Sequence, residues 1–65
     1  MSEPLSVAVL GLGEAGAAIA GDLAEAGARV AGFDPREGAG DGVPRAASPE
    51  AAVDGAEIVL SVNSA

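Results

Sequence analysis

Gly11-Leu12-Gly13-Glu14-Ala15-Gly16 stands between an apolar run, Leu5-Ser6-Val7-Ala8-Val9-Leu10, and a helix-like stretch from Glu14 to Ala26. A second apolar run follows and closes on an acid, Asp34, which lies 18 residues after Gly16. A G-x-G-x-x-G pattern alone is weak evidence. With a strand before it, a helix after it and an acid near the right distance, it is the fingerprint of a dinucleotide-binding βαβ unit.

The chemistry explains the residue types. Gly11 allows a sharp turn off the strand, where a Cβ would clash. Gly13 allows the backbone to approach a pyrophosphate, and Gly16 allows the helix to pack closely on the sheet. The phosphates would then lie over the first-turn N–H groups, at the positive end of the helix dipole. Asp34, at the carboxyl end of the second strand, is expected to accept hydrogen bonds from an adenosine ribose.

Working outward, Leu5 to Leu10 is apolar on both faces, as a central parallel strand requires. In the helix, Gly16, Ile19, Ala20, Leu23 and Ala26 share one face, and Glu14, Ala18, Asp22 and Glu25 form the wet stripe. Gly27 is placed to end it in the left-handed region. The second strand is expected over Arg29 to Asp34. Two prolines, Pro35 and Pro44, and three glycines, Gly38, Gly40 and Gly42, then leave no room for a proper helix. A loop with a short third strand near Val43 to Ala46 is the expectation. Ser48-Pro49-Glu50 combines an N-cap serine, proline at the first helical position and an acid in the first turn. It predicts a helix over Pro49 to Asp54, followed by an apolar strand over Ala56 to Val62.

The order β-α-β-loop-β-α-β makes the fold class α/β: the first half of a Rossmann doubly wound parallel sheet, with strand order 3-2-1-4. The last strand would form an apolar edge, which complete proteins cover. Residues 1–65 are therefore expected to be a partial dinucleotide-binding Rossmann domain, the amino-terminal part of a longer protein.

Composition narrows the function. The 65 residues carry ten acids against three arginines, with a net charge of −7, so neither nucleic acid nor an anionic membrane is an expected partner. Apolar content of 49% argues against disorder, although 16 alanines thin the core volume. There is no signal-peptide pattern and no apolar run of spanning length, so a soluble, cytoplasmic protein is expected. Lysine, histidine, cysteine and tyrosine are all absent. Only carboxylates remain for acid–base work near neutral pH, so no catalytic residue and no metal site are expected within the chain.

The residues Val7 to Gly16, Ala26-Gly27, Phe33-Asp34-Pro35-Arg36 and Ser48-Pro49-Glu50-Ala51-Ala52 resemble the β-hydroxyacid dehydrogenases, which include 3-hydroxyisobutyrate and 6-phosphogluconate dehydrogenases. The Gly13-Glu14-Ala15-Gly16 turn and the Ser61-Val62-Asn63-Ser64 ending look most like the phosphogluconate-dehydrogenase-like branch. The resemblance implies an amino-terminal domain for NAD or NADP and a helical domain for substrate and dimer contacts, hence a homo-oligomeric parent. It matches Gly11, Leu12, Gly13, Glu14, Ala15 and Gly16 to the phosphate loop. Asp34 and Arg36 match the ribose-reading end of the second strand, and Asn63 and Ser64 the loop beside the nicotinamide ribose. Two departures stand out: Ala15 replaces the usual methionine, and the usual helix between the second and third strands is missing.

The resemblance implies a catalytic lysine and a substrate site beyond residue 65, and hydride transfer to or from a small hydroxy acid. An imine or pyrroline-carboxylate reductase is the nearest alternative. An S-adenosylmethionine-dependent methyltransferase and a non-catalytic nucleotide-binding module are alternatives of other classes. Asp34 favours NAD over NADP, because a carboxylate repels a 2′-phosphate. Arg36 could reach that phosphate, stack on adenine, or remain a solvated loop charge.

Overall fold

The computed structural model describes residues 3–36, 38–40 and 42–62. Its elements are β1 (Ser6–Leu10), α1 (Glu14–Glu25), β2 (Arg29–Phe33), α2 (Pro49–Val53) and β3 (Ile58–Ser61). The strands form one parallel sheet in the order β2-β1-β3. In the register, Val9 stands between Gly32 and Leu60, and Ala8 between Ala31 and Val59.

The centre of the sheet follows from β1. Val7, Ala8 and Val9 are all buried, so both faces of this strand are covered. Val7 and Val9 join Leu12, Ala20 and Val30 in one cluster, with Leu23, Leu60 and Val62 packed against it. Ala8 and Ala52 are buried outside that cluster, as the alternation of side chains along β1 requires. The structure thus has a Rossmann-like α/β arrangement built on a three-stranded parallel sheet.

Local chemistry sets the ends of the helices. α1 stops in a Schellman arrangement: Gly27, at φ +99°, donates its N–H to Ala24 O at 3.0 Å, and Ala28 N–H reaches Leu23 O at 3.0 Å. The helix therefore ends at Glu25, one residue short of the expected range, with Ala26 as its cap. In α2, Ser48 Oγ accepts from Ala51 N–H at 3.0 Å and Pro49 occupies the first turn, as its sequence predicts.

The expected third strand, Val43 to Ala46, is not a strand. It touches the sheet through a single parallel bridge, Gly32 with Arg45, on the side of β2 away from β1. Pro44 has no N–H to give a ladder, and Gly38, Gly40 and Gly42 all adopt positive φ, which coils the approach into turns. The predicted apolar face of α1 is also narrower than its sequence suggests. Gly16 and Ala20 are buried, but Ile19 and Ala26 are exposed. α1 rests on β1 and β2, and Ile19 falls outside that footprint. β3 is shorter than expected, and its Ile58 and Val59 are exposed along an apolar edge. No helix among the described residues is long and apolar enough to cross a membrane.

Gly21 serves no steric purpose: a Cβ there would meet nothing within 4 Å, and the residue sits inside α1. Gly21→Ala is expected to stabilise the fold by about 0.5–1 kcal/mol, because alanine loses less backbone entropy. Urea denaturation of the two forms would measure it. An unchanged or lower midpoint would show that the exposed surface of α1 needs that glycine.

Candidate functional site

The carboxyl ends of β1 and β2 and the start of α1 enclose an open cleft of ≈ 360 Å³. Gly11, Gly13, Glu14, Ala15 and Gly16 form its floor, and Asp34, Pro35, Arg36 and Val62 form its wall. This is where a parallel sheet directs its chemistry, because β1 runs straight into the glycine turn and α1 starts above it.

Three backbones meet beneath the cleft. Gly11 leaves β1 at φ +99° and donates its N–H to Phe33 O at 2.8 Å. A Cβ on Gly11 would collide with the Val62 carbonyl, and a Cβ on Gly16 would collide with the Gly11 carbonyl. Gly16 thus packs on the turn at the end of β1, a closer contact than the general helix-to-sheet packing expected for it. At Gly13 a Cβ would stand 3.3 Å from Arg36 Nη2, at the mouth of the cleft. Gly13 is also the N-cap of α1 and offers no side chain to its first-turn N–H groups, leaving them open to an anion.

Asp34 immediately follows β2 and is the one buried charged residue among the described residues. Its Oδ2 accepts from Leu12 N–H at 2.7 Å and from Arg36 Nη2 at 2.9 Å. Its Oδ1 accepts from Arg36 N–H at 2.8 Å and Arg36 Nε at 3.0 Å. The Arg36 side chain is the principal reason that this carboxyl is held well below the usual carboxylate range. The N–H groups of Arg36 and Leu12 lower it further, against the opposing effect of burial. Arg36 in turn is raised by Asp34, while its side chain remains 60% exposed.

Of the residues expected at the site, Gly11, Gly13, Glu14, Ala15, Gly16, Asp34 and Arg36 come together around the cleft. Leu12 does not face it. Its side chain is buried against Gly32, Gly40 and Val43, and its N–H is bound to Asp34. Both oxygens of Asp34, expected to accept from a ribose, are engaged by Leu12 and Arg36. Asn63 and Ser64 lie outside the described residues. Sequence reasoning missed Pro35, Val62 and, just behind the wall, Arg45. Arg45 binds backbone carbonyls next to Asp34, and no motif spacing signals such a contact.

A parallel sheet with a glycine turn under a helix N-terminus, and a buried acid at the end of the neighbouring strand, defines a nucleotide-binding α/β domain. Residues 6–64 match the family described as the NAD binding domain of 6-phosphogluconate dehydrogenase, and the chain belongs to that family. It is the nicotinamide-nucleotide-binding part of an oxidoreductase. No curated protein and no solved structure gives a significant match to the chain.

Proposed function

We propose that the cleft binds NAD in preference to NADP, and that the parent protein moves a hydride between the cofactor and a small hydroxy acid. One observation carries the cofactor preference: Asp34 is buried at the carboxyl end of β2, ionised, and bound to the glycine turn through Leu12 N–H. A 2′-phosphate at this point would meet a fixed negative charge, whereas a ribose diol would donate to it.

The residues fit a dinucleotide. Gly11 and Gly16 allow the turn, α1 and the Val62 backbone to close together beneath the cleft, and the first turn of α1 presents N–H groups to a pyrophosphate. Arg36 is the element that must move. Its exposed guanidinium occupies the Asp34 oxygens a diol would use, so ribose binding displaces it toward the solvent side or the adenine. When bound, the nicotinamide supplies hydride transfer at its C4. The chain's own residues bind and orient. With no lysine, histidine, cysteine or tyrosine here, the acid–base group and the substrate contacts are assigned to residues outside this chain. Subunit contacts are assigned there too.

A second reading, NADP, is favoured by the position of Arg36 Nη2 over Gly13, from which it could meet a 2′-phosphate. Titration of the native protein with NADH and NADPH separates the two. Tighter binding of NADH by several-fold is expected. NADPH bound about tenfold more tightly would give the site to the Arg36 reading. Binding of neither, with S-adenosylmethionine bound instead, would replace the oxidoreductase with a methyltransferase. The 65-residue chain alone is expected to show no turnover of hydroxy acids or cyclic imines.

A further inference from the structure

We propose that Arg45 is a positioning residue for cofactor recognition, holding the backbone of Asp34 and Arg36 in place at the adenosine end of the cleft while the Arg36 side chain stays free to move. The inference rests on the dinucleotide reading above and adds to it a residue that does not line the cleft. Arg45 Nη2 donates to the carbonyl of Asp34, and Nη1 donates to those of Arg36 and Ala39, each at 3.3 Å. One guanidinium therefore gathers three carbonyls of the segment that carries both ribose-reading side chains. A planar fork of fixed donors suits this task, because several acceptors can be held at once.

The base of this clamp is rigid. Gly32 N–H donates to Pro44 O at 2.8 Å, and Ala46 N–H donates to Gly32 O at 2.8 Å, so the backbone on both sides of Arg45 is tied to β2. The strand that orients Asp34 from one side thus also carries the clamp that orients it from the other. The single bridge left in place of a third strand acquires a purpose in this arrangement: it fixes Arg45.

Charge supports the same assignment. The chain has three cationic side chains, Arg29, Arg36 and Arg45, against ten acids. Two of the three meet at this one segment, while Arg29 begins β2 at the opposite end. The positive field that Arg45 adds beside Arg36 favours an approaching anionic nucleotide.

The test compares the native protein with its Arg45→Met and Arg45→Lys variants, using ADP-ribose and inorganic pyrophosphate as separate probes. ADP-ribose reads the adenosine end and the glycine turn together, whereas pyrophosphate reads the turn alone. Both variants are expected to bind ADP-ribose about tenfold more weakly and pyrophosphate within about twofold of the native protein. Lysine keeps the charge but cannot span three carbonyls, so its failure to restore ADP-ribose binding would support the fork. Unchanged ADP-ribose affinity in folded variants would overturn the proposal. So would a parallel loss for both probes with a lowered unfolding midpoint, because that marks a purely structural contact. A native protein that binds no adenine nucleotide would overturn the dinucleotide reading itself, and the role of Arg45 with it.

Discussion

Alanine at Gly16 is expected to destabilise the fold by more than about 3 kcal/mol and to abolish nucleotide binding. The added Cβ would fall on the Gly11 carbonyl oxygen and within 2.9 Å of its carbon, with Val62 Cβ at 3.6 Å. Gly11 cannot retreat, because its N–H is bound to Phe33 O and its other side lies against the Val62 carbonyl. Val62 is itself tied to Leu10 O by its N–H at 2.8 Å. The added methyl thus meets backbone, with no flexible side chain to give way. A small domain has only about 0.05–0.15 kcal/mol of stability per residue, so a loss of this size removes roughly a third or more of it. Urea denaturation with and without NADH provides the measurement. A loss below about 1 kcal/mol with binding intact would show that the helix can slide off the turn.

Replacing Asp34 with asparagine is expected to weaken NADH binding by at least about tenfold. The carboxylate accepts four hydrogen bonds, from Leu12 N–H, Arg36 N–H, Arg36 Nε and Arg36 Nη2. An amide turns one of its two acceptor atoms into a donor, which then faces donors. The same change should alter acid stability in a definite sense. The folded-state pKa of Asp34 is depressed, so its stabilisation is fully present above the ordinary value of about 3.9 and is lost as pH falls through the lower, folded value. The native protein should therefore lose stability on acidification below about pH 4 more steeply than Asp34→Asn. Thermal unfolding across that range would read the difference. Parallel curves for the two forms would mean that the ion pair with Arg36 contributes nothing to folding.

The outline of the fold was legible because its signals are local. β1, the two helices and the glycine turn each carry their cause within a few residues: a run of apolar side chains, a capping serine before a proline, a glycine where φ must be positive. The glycine spacing also located the cleft, since the residues that form its floor all fall within the six-residue stretch from Gly11 to Gly16. The stretch from Pro35 to Ala47 was less legible. Its failure to form a helix was evident from its prolines and glycines, but its shrinkage from an expected strand to one bridge depended on how the turns were stacked. The exposure of Ile19 belongs with these cases, because helical periodicity reports a face and not the width of sheet available to cover it.

The sequence alone determined the order of β1, α1, β2, α2 and β3, the parallel arrangement, the glycine turn that lines the cleft and the acid at the end of β2, but not the fate of Val43 to Ala46. These rest on periodicity, on caps and on the steric demands of glycine, all of which act over short distances. The tertiary structure decided what those residues do to one another. It turned Leu12 away from the cleft, closed Arg36 over both oxygens of Asp34 and brought the Val62 carbonyl against Gly11. It also placed the Arg45 guanidinium against the backbone of Asp34. Each of these contacts joins segments that approach only when the strands align, and its strength depends on distances that residue spacing does not encode.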